Sequence, residues 1–218
     1  MLAFDPLVTA MALQLVSFQC ESQPAPSINI SSSSDSIQYE YRLSQRQLGN
    51  KNIDTVSPYG HQAATVVGGL MSGEIEVSSQ IELSWITHRE LQQNCFWYNN
   101  IDIQIKIDPK IYIAREHKKG TCEHNAVHNH ELKHVNVDRR LVSKYQNILK
   151  NHLQKVVRKI PVYGPTSSRQ TPRVRKELTN YIEKAIEQVT DKMYTERRQQ
   201  QQAIDSLEEY ERVRKECE

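Results

Sequence analysis

The hydrophobic period of this chain changes once, at Gly120, and that change sets its fold class. Before it, in IDIQIKIDPKIYIA, Ile101, Ile103, Ile105, Ile107, Ile111 and Ile113 recur on one parity, as in a strand with one buried face. Pro109 lies in that run and has no N–H for a ladder, which predicts an edge strand. After Gly120 there is no Gly or Pro from Glu123 to Ile160, and Leu141, Tyr145, Ile148, Leu149, Leu153 and Val156 follow helical spacing. PVYGPTSSRQTP breaks that helix, and a last helical stretch runs from about Val174 to the C-terminus with a stripe of Ile182, Ile186, Val189 and Met193. Earlier strands are predicted where Ile37, Tyr39, Tyr41 and Leu43 alternate with polar residues, and where Ile75, Val77, Ile81, Leu83 and Trp85 share a parity. Pro58-Tyr59-Gly60 and Gly68-Gly69 punctuate the segment between them. Strands first and helices afterwards make an α+β fold: an antiparallel sheet, then a long helix, then a C-terminal helix packed on it.

A chain of 218 residues with 38% hydrophobic and 25% charged residues has enough apolar material for one core with exposed helices. One domain is expected over 37–218, mainly β over 37–118 and mainly α over 121–218. The net charge of +2 selects no partner, and the basic cluster Arg169, Arg173, Arg175, Lys176 lacks interleaved aromatics, which excludes a nucleic-acid face. Residues 1–26 read as an export leader, because Leu7 to Phe18 is an apolar run too short to span a bilayer. A short buried N-terminal segment is the alternative. Residues 27–36, rich in serine, read as a polar linker. Export would place the protein in the periplasm or outside the cell, with no integral membrane span, and would make Cys95 and Cys122 the natural disulfide pair. In a reducing compartment they would be free thiols.

The chemistry concentrates in CEHNAVHNHELKHVNVDRR, which holds four of the eight histidines. Within it, His130-Glu131-Leu132-Lys133-His134 spells H-E-x-x-H. On a helix, i and i+4 share a face, so His130 and His134 can bind one ion. Glu131 flanks them, where a carboxylate can take a proton from a metal-activated water. The face of the two histidines continues through Asp138, Leu141, Tyr145 and Leu149, so they stand at the polar end of a core-facing stripe. Asp138, one turn beyond His134, is expected to support a ligand imidazole or meet a nearby cation. His124 and His128 do not complete the motif and are expected at the surface or rim.

HELKHVNVD resembles the thermolysin-type zincin motif, with an acidic residue four positions past the second histidine. Arg140 occupies the place of a third histidine, so the metzincin pattern is not met. A broader resemblance, over roughly Cys95 to Tyr210, is to the bacterial family of predicted secreted zinc-dependent proteases. That resemblance implies a Zn2+ cofactor, a peptide or protein substrate and Glu131 as general base. It also implies a third ligand from a later acidic segment. Glu209 in QQQAIDSLEEY is the expected third ligand, with Glu208 and Glu187 as alternatives. An oxyanion partner is sought among Tyr181, Tyr194 and Tyr210. The rival expectation is a non-catalytic zinc-binding or degenerate cell-envelope protein acting as an interaction module. Oligomeric state is open.

Overall fold

The computed structural model describes residues 18–51 and 67–218. Its strands are β1 (Ser27–Ser34), β2 (Gln38–Glu40), β3 (Gly69–His88), β4 (Gln93–Ile113) and β5 (Tyr163–Ser167). Its helices are α1 (Gln45–Gly49), α2 (Cys122–Val157), α3 (Thr171–Ile204) and α4 (Leu207–Lys215). The apolar run Leu7 to Ser17 and Pro58-Tyr59-Gly60 lie outside the described residues.

The fold is mixed helix and strand, but the sheet is not antiparallel throughout. β4 pairs antiparallel with β3 and β5, and parallel with β1 and β2. Ser27–Ser34, expected as a linker, is therefore a sheet strand, in register with 100–107. Its serines are exposed, its backbone is paired by the ladder with β4, and only Ile28 is buried. The second strand is shorter than its alternation suggests, and Tyr39 and Tyr41 are exposed rather than core-facing.

Nor is β4 an edge. β3 borders one side of it, while β5, β1 and β2 follow one another along the other. Pro109 is tolerated because of a gap: β1 ends opposite Ile107 and β2 begins opposite Lys110. The proline thus has no strand partner on that side and leaves no ladder bond unmade.

The isoleucines of β4 do form one buried face. α2 packs across it, and α3 packs on α2 and shares the core through Ile182, Ile186, Val189 and Met193. Each such fully buried aliphatic side chain stabilises the fold by about 1.5–3 kcal/mol. Thr121 caps α2 by accepting from the His124 N–H, and Pro172 stands in the first turn of α3, where its missing N–H costs nothing. α3 runs antiparallel to α2: Tyr145 meets Glu196, Asp138 meets Arg197 and His134 meets Gln201.

Two disulfides, Cys20–Cys95 and Cys122–Cys217, replace the expected Cys95–Cys122 pair. The reason is length. Cys95 lies near the start of β4 and Cys122 follows its far end. The eighteen steps from Cys95 to Ile113 at about 3.3 Å each span about 60 Å, and the nine steps on to Cys122 can recover at most about half of it, which leaves the two far beyond disulfide reach. Cys20 is thereby tied to the folded body through Cys95. Among the described residues, no helix is long and apolar enough to cross a membrane.

Candidate metal centre

His130 and His134 face the same point from the buried side of α2. The third group there is Asp205, at the end of α3, and not Glu209. Asp205 Oδ1 lies 3.1 Å from His130 Nε2 and 3.3 Å from His134 Nε2, and the two imidazole nitrogens are 3.4 Å apart. A tetrahedral ion with bonds of about 2.0–2.1 Å requires donor atoms about 3.3 Å apart. The triangle has the size of a metal site, and the three buried residues can hold a metal ion.

The backs of the two imidazoles say which nitrogens carry protons. The Gln201 amide nitrogen donates to Asp138 Oδ1 at 2.8 Å and to the His134 carbonyl at 3.2 Å. Its oxygen therefore faces His134 Nδ1, which must donate to it. His130 Nδ1 faces Glu209 Oε1 at 3.4 Å and is a donor for the same reason. In the neutral imidazoles both Nε2 lone pairs then face Asp205, an arrangement of three acceptors that a cation, either a proton or a metal ion, can bridge. Burial opposes charge on His134, but the hydrogen bond to Asp205 and the charges of Glu131 and Asp205 outweigh it and raise its pKa. A metal ion competes with that proton. Metal uptake is expected to release protons and to weaken as pH falls; calorimetry in two buffers of unlike ionisation enthalpy reads the proton count.

Glu131 is buried beside the cluster, and burial pushes its carboxyl up to about 7, with His134 and His130 opposing the rise. It accepts from the Met71 backbone N–H on β3. Gly69 permits this approach: a Cβ there would stand 2.7 Å from Glu131 Oε1 and 2.5 Å from Val127 Cγ1. The cluster opens into a cleft of about 470 Å³, walled on one side by residues 69–75 of β3 and on the other by α2, α3 and α4.

Asp138 supports His134 through Gln201 rather than by direct contact, and it does meet a cation. Arg197 Nε and Nη2 reach its two oxygens at 2.7 and 3.0 Å, and Nη2 also donates to the Gly73 carbonyl at 3.0 Å. Glu209 stands behind His130, hydrogen-bonded to Lys133 and Arg212 as well, and Arg212 and Lys133 hold its carboxyl down at about 2. Glu208 and Glu187 are exposed and take no part. His128 is half-buried with its Nε2 3.2 Å from Tyr39 Oη, whereas His124 is buried against Tyr41 instead of lying at the rim. Of the three tyrosines, Tyr210 stands edge-on to His130 at 5.7 Å and lines the cleft. Tyr194 also lines it but donates to the Ile75 carbonyl at 2.7 Å, and Tyr181 packs against the hydrophobic core.

The sequence reading passes over Asp205, in the same acidic segment, in favour of Glu209, and it misses Gln201. The missed signal was a helix break: Ser206-Leu207-Glu208-Glu209 is an S-x-x-E start pattern, and the Ser206 side chain indeed accepts from the Glu209 N–H. A start at Ser206 requires an end just before it, which turns Asp205 inward. Comparison with protein-family models, with curated proteins and with solved structures yields no match. Fold and site together define a protein of mixed helix and strand with a buried His–His–Asp cluster able to bind metal.

Proposed function

We propose that this protein is a zinc-dependent hydrolase, acting on a peptide or protein in the periplasm or outside the cell. The observation that supports it most is the placing of buried Glu131 beside three converging metal donors at the floor of an open cleft. His130, His134 and Asp205 would hold the ion, which when bound supplies Lewis acidity and lowers the pKa of a bound water. Glu131 takes the proton from the attacking water and returns it to the leaving amine. Gln201 and Glu209 keep both imidazoles in the Nδ1–H form, and Tyr210, which lines the cleft, would donate to the oxygen that gains charge. The H-E-x-x-H order and the likeness to zincins support the same reading, as do two disulfides for an oxidising compartment.

β4 is bordered on both sides and offers no free edge to a peptide. β3 pairs with β4 alone among the described residues, but its Gly73 and Ile75 carbonyls already accept from Arg197 and Tyr194. Substrate is therefore expected in the cleft between β3 and the helices rather than as an added strand along 73–75.

Glu131→Gln is the decisive variant. It is expected to keep zinc and to lose about 10²–10⁴ in the rate of cleavage of a peptide library followed by mass spectrometry. Absence of cleavage by the zinc-loaded wild type would favour a non-catalytic metal-binding protein instead.

A further inference from the structure

Asp205 ends α3 and Ser206 caps α4, so the chain beyond the third donor is held to the body through α4. α4 spans nine residues and buries none of them. A helix of that length without apolar burial is not stable alone. Its attachments are polar and covalent: Glu209 to His130 and Lys133, the Tyr210 ring against His130, and the bond from Cys217 to Cys122 in the first turn of α2.

The two disulfides differ in access. Cys95 is 1% exposed, inside the sheet end away from the cleft, whereas Cys122 is exposed. Thiol attack requires access to a sulfur, and exposed disulfides are the labile ones.

We propose that Cys122–Cys217 is a redox latch on the metal centre, opened by a dithiol reductant. One thiolate of the dithiol attacks a sulfur of the Cys122–Cys217 bond, and its second thiol resolves the mixed disulfide. The dithiol leaves as a cyclic disulfide, and its two electrons and two protons end on the Cys122 and Cys217 thiols. α4 then loses its covalent tie, Glu209 and Tyr210 withdraw from His130, and Asp205 loses the segment that follows it. Metal affinity falls while the helix pair and sheet persist, because their core contains no residue of α4. This inference rests on the metal reading of His130, His134 and Asp205.

The full-length protein, treated with a limiting dithiol and then alkylated and freed of reagent, tests it. Peptide mapping should find Cys122 and Cys217 alkylated while Cys20–Cys95 stays closed. Zinc affinity, measured by competition with a chromophoric chelator, should fall about tenfold or more, the loss typical of a removed supporting partner. Hydrogen exchange over 207–216 should accelerate without change over 141–153. A Cys122→Ser/Cys217→Ser double variant should match the alkylated protein, which separates the lost bond from the added alkyl groups. Equal zinc affinity in both forms overturns the latch alone, as does opening of Cys20–Cys95 first. No zinc in the oxidised protein overturns the metal reading and the latch with it.

Discussion

Asp205→Asn is expected to abolish stoichiometric zinc binding, while Glu209→Gln weakens it by about 10–100-fold. The two acidic residues stand only four positions apart, yet the geometry gives them different work. Asp205 Oδ1 closes the triangle with both Nε2 atoms. Replacing it by an amide removes the only anionic donor and lets an NH2 group turn toward the ion, which repels it. Glu209 touches the opposite nitrogen of His130, so its loss leaves three donors in place and removes only a partner that orients one of them. Elemental analysis of the two variants beside wild type, followed by chelator competition, separates the assignments. If Glu209→Gln lost the metal and Asp205→Asn kept it, the cluster would be rearranged around Glu209. Equal and full zinc in both would leave His130 and His134 as the only required donors.

What the sequence disclosed follows from how local each signal is. The run from Ile101 to Ile113 and the stripe from Leu141 to Val156 repeat over many residues, so their periods identify β4 and α2 without knowledge of neighbours. His130 and His134 inherit their inward placement from that same stripe. β1 has only Ile28 and Ile30 among serines, and it is a strand because β4 offers it a ladder, a non-local fact. The disulfide partners depend on where the ends of a 21-residue strand lie, and length alone excludes the bracketing pair without naming the right one. Asp205 and Gln201 come from a helix some seventy residues after the histidines. Many glutamates on that helix have equal claims by composition, so only the break at Ser206 and the antiparallel register of α3 on α2 select them.

Asp138→Ala is expected to lower the unfolding free energy of the metal-free protein by about 3–5 kcal/mol. The Asp138 side chain is fully buried, and that of its partner Arg197 is 11% exposed. Their attraction compensates for two desolvated charges, so removing the carboxylate takes the counter-charge and two hydrogen bonds from a guanidinium inside the protein. Urea titration should show a lower midpoint at an unchanged slope. A shift below about 1 kcal/mol would mean that water reaches Arg197, as at a surface pair. A second variant separates stability from site organisation. Asp138→Leu with Arg197→Met replaces both charges by apolar groups of similar size and should recover much of the loss. It should not recover zinc affinity, because Gln201 loses the shorter of the two hydrogen bonds that orient its amide and keeps only that to the His134 carbonyl. With Asp138 gone, that amide can turn its NH2 toward His134, favour the tautomer with the proton on Nε2, and so withdraw a lone pair from the cluster. A double variant that is stable yet binds zinc about 10–100-fold more weakly would show that the buried pair serves the metal centre as well as the core.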